Sequence, residues 1–257
     1  MADAQWTGPR GADLGEWLPV LDLVEPPGQR RLTVLLRLLL LIPHFIVLFF
    51  LHIAAFFTVI VGWFAALVLG RLPEPVFRFL AGYLGYGMRV GASAMLLIDR
   101  YPPFTLTPPT DYPVQIEVRP TELNRAAVFF RLFLMIPAAV VQGLASSGWW
   151  ALSFIWWLIT LILGRMPRPL FEASAATLRY SMRFSAYFMM LTPAYPKGFF
   201  GDDALSVPEQ QTRSATRPLV MSGAGKALLI LFLIIGVATD ISTSTTTTWT
   251  SDTAENW

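Results

Sequence analysis

The chain has 257 residues, of which 54% are hydrophobic and only 14% charged, with a formal net charge of +2 and no cysteine. Soluble domains carry about a quarter charged residues, so this balance points to lipid as a solvent. Disulfides and thiolate metal sites are excluded, and the small net charge offers nucleic acid no footprint.

In chain order, residues 1–17 form an acidic N-terminal segment without the apolar core of a secretory signal, so the first apolar run is expected to remain as an uncleaved anchor. A first unit covers residues 18–104. It opens with a β-like segment at 18–26 and continues into a run, 38–69, that holds no Asp, Glu, Lys or Arg. A single span needs about 20 apolar residues, so this run is expected to fold as a hairpin of two short helices, with its turn near His52-Ile53-Ala54. Gly70, Pro73 and Pro75 stop the second helix, because glycine permits the left-handed cap and proline forbids continuation. A third helix follows at about 76–98.

After a linker at 105–111, a second unit at 112–198 repeats these parts. Its β-like segment alternates Val114, Ile116 and Val118. Its uncharged run is 132–163, with turn residues Ser146-Ser147-Gly148, and its stop is Gly164, Pro167 and Pro169. A linker at 199–218, a C-terminal transmembrane helix at 219–240 and a Thr-rich tail at 241–257 complete the chain, giving five expected spans. The tail reads as disordered or surface-bound.

The repetition is direct. With an offset of 94, residues 18–102 align with 112–196 without a gap, and 30 of the 85 positions are identical. Arg31, Arg37 and Pro43 match Arg125, Arg131 and Pro137, while Trp63, Gly70 and Arg71 match Trp157, Gly164 and Arg165. Each third helix carries a charged stripe, Arg78 and Arg89 in one copy and Glu172, Arg179 and Arg183 in the other. Such helices are expected to lie in the membrane interface. A true span is the alternative, at a cost of at least ~2.5 kcal/mol per charge at the bilayer centre.

Arginines gather at the bases of the expected hairpins and none stands at the tips. The positive-inside rule then puts the N-terminus in the cytoplasm and the tail outside the plasma membrane. No catalytic, cofactor or metal constellation is present. His44 and His52 are the only histidines, and ~12 Å of helix rise separates them, so they cannot share a metal. Arg37, Arg71, Arg89, Arg131, Arg165 and Arg183 are candidate contacts for anionic lipid headgroups. Glu74 and Arg78 reverse the signs of Arg168 and Glu172, so a pseudo-two-fold axis could pair Glu74 with Arg168 and Arg78 with Glu172 across the copies. Small residues at Gly82, Gly85, Gly91, Ala176, Ser181 and Ser185 would allow these helices to approach closely.

Ile42-Pro43-His44, the stretch from Gly70 to Phe77, Tyr86-Gly87-Met88-Arg89 and the stretch from Asp99 to Phe104 resemble a family of multi-pass membrane proteins common in actinobacteria, the DUF4389 family. The second copy departs from that pattern at Ala138, which replaces the histidine, and at Pro193-Ala194, which replaces Asp99-Arg100. The resemblance covers about residues 18–200 and implies no particular activity.

The expected fold class is therefore an all-α membrane protein: two tandem helical-hairpin repeats with interfacial amphipathic helices and short β segments, plus one C-terminal transmembrane helix. The expected function is that of a non-catalytic scaffold or accessory subunit of a larger membrane complex. Its partners would be membrane lipids and other membrane protein subunits, with no cofactor and no nucleic acid. A small transporter or lipid-handling protein is the alternative.

Overall fold

The computed structural model describes residues 18–107, 109–202, 216 and 218–254, with side chains described as far as residue 242. The N-terminal segment, most of the 199–218 linker and the side chains of the tail lie outside the described residues. The first copy comprises β1 (Val20–Leu23), α1 (Arg31–Leu35), α2 (Arg37–Leu69) and α3 (Glu74–Ala94). The second comprises β2 (Val114–Glu117), α4 (Arg125–Phe129), α5 (Arg131–Leu134), α6 (Ile136–Ala151), α7 (Ser153–Leu163) and α8 (Arg168–Phe188), and α9 (Gly223–Ala254) follows.

The expected hairpins do not form. α2 runs unbroken through His52-Ile53-Ala54 for 33 residues, even across Pro43. No residue in that run forces a turn, and a helix once nucleated gains a hydrogen bond per residue by continuing. In the second copy the helix changes direction by 54° between α6 and α7, well short of a reversal. The break falls at Leu152 rather than at Ser146-Ser147-Gly148. The Ser147 hydroxyl donates back to the Leu144 carbonyl and stays inside the helix. α2 and the Gly223–Ser242 part of α9 are each long and apolar enough to cross a membrane, and the bent pair α6–α7 would make a third crossing if it counts as one span. Five short spans are thus replaced by fewer, longer helices. α9 also continues through the expected tail as far as Ala254, since neither proline nor glycine follows Gly236 within it.

The expected glycine caps form. Gly70 and Gly164 cap α2 and α7 with left-handed φ of 69° and 66°. Asn124 caps α4 through its side-chain oxygen, which accepts from the Ala126 and Ala127 amides. The outer face of α2 presents Phe49, Phe50, Phe56, Phe57, Phe64 and Val68, each more than half exposed. An apolar surface that large and contiguous requires a lipid or protein cover.

The copies are related by a pseudo-two-fold axis. β1 and β2 pair antiparallel, with Val20 opposite Glu117 and Leu23 opposite Val114. Under the offset of 94 this register maps onto itself, so the axis passes through the sheet. Reciprocal hydrogen bonds follow the same exchange. The Gln29 amide donates to the Gly164 carbonyl (2.8 Å), and the equivalent Leu123 amide donates to the Gly70 carbonyl (2.7 Å). Trp63 Nε1 donates to the Val128 carbonyl (3.2 Å), and Trp157 Nε1 donates to the Val34 carbonyl (2.9 Å). Each copy therefore closes on the other, and neither satisfies these groups alone.

α3 and α8 cross near the axis, where a Cβ on Gly91 would stand 3.1 Å from Leu178. Gly82 instead backs onto Leu106 in the linker, so only part of the expected small-residue contact is made. The expected ion pairs across the axis do not form. Arg78 holds Glu74 (2.6 Å) and Arg168 holds Glu172 (3.1 Å), each within its own helix. Glu74, Arg78 and Arg168 are exposed, where an i,i+4 pair already satisfies them without help from the other copy. Glu172 is buried and turns its other oxygen to the amide and hydroxyl of Ser222, which itself accepts from the Gly225 amide at the start of α9. A carboxylate at a helix N-terminus is stabilised by the helix dipole, so Glu172 anchors the last helix.

Candidate functional site

Of the six candidate headgroup contacts, only Arg71 and Arg165 are exposed, both in the turns that follow the glycine caps. Arg37, Arg89, Arg131 and Arg183 are buried. They meet main-chain carbonyls where headgroups were expected, because the loops after α3 and α8 fold back over the helices and present their carbonyls inward. Arg89 donates to the Thr105 carbonyl and lies beside the Tyr86 ring. Arg183 Nη1 donates to the Lys197 carbonyl (2.7 Å) and Nε to the Pro19 carbonyl (3.3 Å), tying β1 to the second copy.

Arg37 and Arg131 occupy equivalent places, and what surrounds them is not equivalent. α3 and α8 each end in a Schellman turn whose left-handed residue is not glycine, Leu96 (φ 61°) or Met190 (φ 60°). Such a conformation costs roughly 1 kcal/mol for an ordinary L-residue. The turns reverse the chain so that the carbonyls of Ile98 and Thr192 face the arginines, at 2.7 Å from Arg37 and 3.3 Å from Arg131. Arg37 also donates to Ser93 Oγ (3.1 Å), Gln29 Oε1 (3.3 Å) and Asp99 Oδ1 (3.3 Å), and Asp99 accepts from Thr33 as well. The equivalents of these four partners in the second copy are Tyr187, Leu123, Pro193 and Ala127. Arg131 is left with the Tyr187 and Thr192 carbonyls and the Tyr187 ring, 4.2 Å below its guanidinium carbon. Among the described residues it has no acidic partner.

Each arginine lines a groove between the copies. The larger groove, with a volume of about 490 Å³, lies between α2 and the junction of α5 with the end of α8, and Phe56, Ile60, Trp63 and Phe64 line it together with Arg131 and Met190. The smaller, about 290 Å³, is its image across the axis, where Trp150, Phe154, Trp157, Arg37 and Leu96 take the corresponding places. The larger groove is almost wholly apolar, apart from Arg131 and the His52–Tyr83 pair, whose Nδ1 and hydroxyl are 2.9 Å apart. His44 lies outside both grooves. It is fully buried, bonded to the Tyr86 hydroxyl (2.6 Å) and stacked on Phe104, and its Nε2 has no partner among the described residues. Trp149 and Trp156 are buried, and Trp149 donates to Ser174 (2.8 Å).

Around the sheet the surface is polar, with ion pairs between Arg100 and Asp111 and between Arg119 and Glu117. The Arg100 guanidinium also holds the Asp111 carboxyl below its usual value. Tyr112 is pushed up to about 12, chiefly by burial, and its neutral hydroxyl donates to the Arg100 carbonyl.

Sequence reading found the two arginines but not their grooves. The signal that was available is the replacement of Asp99 by Pro193 between the copies, since a carboxylate lost beside a retained arginine leaves a charge to be answered. No curated protein and no solved structure matches the chain. The description "Domain of unknown function (DUF4389)" matches it twice, over residues 31–105 and 125–200. Together these segments cover more than half of the sequence and coincide with the two copies built around the axis, so the chain belongs to the DUF4389 family as a duplicated member.

Proposed function

We propose that this is a lipid-handling protein of the plasma membrane, which holds the apolar chain of an amphiphile in a groove between its two copies. The observation that carries the reading is the groove itself. Apart from the His52–Tyr83 pair it is apolar, it is lined by exposed aromatic residues of α2, and the buried Arg131 is part of its wall. Pockets that take extended amphiphiles combine a long apolar wall with one polar anchor. The test is purification of the full chain in a mild detergent, with mass spectrometry of whatever accompanies it. One amphiphile retained per chain is expected. A stoichiometric set of larger membrane subunits without bound lipid would overturn this reading in favour of an accessory subunit.

The orientation we infer has the sheet and its surrounding ion pairs on the cytoplasmic side, with the pseudo-two-fold axis along the membrane normal. An axis in the membrane plane would carry Asp22 and Glu117 to bilayer depth, at a cost of at least ~2.5 kcal/mol per charge. The arginine-rich turns of both copies then face the cytoplasm, as the positive-inside rule asks, and α3 and α8 lie across the normal. The chain has no cysteine, so single cysteines can be placed freely. Arg71→Cys and Arg165→Cys are both expected to react with an impermeant maleimide only from the cytoplasmic side. Labelling of the two from opposite sides would mean an inverted repeat.

A further inference from the structure

The two grooves have equivalent linings and differ in how their arginine is answered, and that difference identifies the ligand's head. We propose that the groove of Arg131 is selective for an anionic amphiphile, an acyl chain ending in a carboxylate or phosphate whose oxygens take the place that Asp99 and Gln29 hold at Arg37. This rests on the lipid-handling reading above and specifies the ligand of the same groove.

Arginine keeps its charge when buried, and a buried charge without a counter-charge is among the costliest features a fold can carry. The first copy meets that cost internally. Arg37 Nη2 lies 3.3 Å from both Asp99 Oδ1 and Gln29 Oε1, and the groove above it is the smaller one. The second copy retains the arginine and its inward carbonyl but replaces carboxylate and amide with Pro193 and Leu123. Arg131 is 3% exposed and its Nη2 donates no hydrogen bond among the described residues, while its Nη1 takes both carbonyls. The unused Nη2 belongs to a side chain that lines the larger groove. An anionic head would supply the missing acceptor, and its chain would lie along Phe56, Ile60 and Phe64 of α2. The first copy thus contains, built into its own chain, the interaction that the second leaves for a ligand.

The experiment uses the full chain in nanodiscs with three photoreactive probes: palmitic acid, its neutral methyl ester, and phosphatidylglycerol. In the wild-type protein the acid, the phosphatidylglycerol or both are expected to crosslink to the α2 segment that lines the groove, and the ester only weakly. Which anionic probe labels tells a free fatty acid from a phospholipid. Arg131→Gln is expected to lower anionic labelling by about tenfold or more, the scale of a lost charge-assisted hydrogen bond. Because that variant could also perturb folding, Pro193→Asp is the decisive one. It installs the first copy's carboxylate beside Arg131, should leave the fold intact, and is expected to lower anionic labelling to the same extent. Equal labelling by the ester and the acid, or unchanged labelling of Pro193→Asp, would overturn the anion selectivity while leaving a groove for neutral chains. No labelling by any probe would overturn the lipid-handling reading itself.

Discussion

Gly148→Leu is expected to detach the last helix from the bundle. A Cβ at Gly148 would stand 1.8 Å from the Phe232 carbonyl oxygen, and one at Gly236 would stand 2.2 Å from the Leu144 carbonyl oxygen. These are backbone atoms, so no rotamer change can relieve the overlap, and α6 and α9 must separate along their length. The loss should be about 3 kcal/mol or more, at the upper end of overpacking effects. Trp156 lies 6.0 Å from Phe232 and reports the contact, so thermal unfolding followed by tryptophan fluorescence should show both a lower midpoint and an altered native signal. Gly143 on the same helix faces open space, and Gly143→Ala should instead stabilise by about 0.5–1 kcal/mol through helix propensity. A native-like midpoint for Gly148→Leu would refute the close helix contact.

Asp202→Ala is the second large effect. Arg179 is 2% exposed and gives Nη1 to Asp202 at 2.5 Å and Nη2 to the Gly198 carbonyl at 2.9 Å. The same carboxylate oxygen accepts from the Leu219 amide at 3.1 Å, so one side chain holds both the end of α8's loop and the approach to α9. Removing the carboxylate strands a buried cation and a main-chain donor, at about 3 kcal/mol. Arg179→Met should cost less, because an apolar side chain can occupy the site once the charge has gone. The double variant should recover part of the loss, and a chemical-denaturation cycle over the four proteins measures the coupling. Strict additivity would show that the pair does not act as a unit.

The duplication was legible residue by residue, because chemically distinctive positions such as Arg37, Pro43, Trp63 and Gly70 recur at one offset. So were the helix ends at Gly70 and Gly164, where a left-handed cap selects glycine whatever the surroundings. The hairpins were misread for a physical reason. A uniformly apolar run carries no periodic signal, and its length suits either two short helices or one long one. Ser146-Ser147-Gly148 looks like a turn, yet it serves as the smooth face against α9. The charged stripe on α8 was visible, but its acceptors were not. Beside the Asp202 carboxylate those are carbonyls of Pro19, Lys197 and Gly198, and every residue type carries a carbonyl.

By itself, the sequence determined that this chain carries runs apolar enough to cross a membrane, that it consists of one unit used twice, and where α2 and α7 stop. These are properties of composition and local backbone preference, which need no knowledge of neighbours. Only the tertiary structure decided that the copies exchange contacts across an axis through the sheet, and that two grooves open between them. It also decided that one arginine is answered from within the chain while its twin is not. Those outcomes depend on the directions in which carbonyls and side chains converge from segments about 60 residues apart or more, as between Arg37 and Ile98 or Trp157 and Val34. Such directions are set by the turns at Leu96 and Met190 and by packing across the axis, and residue identity alone does not encode them.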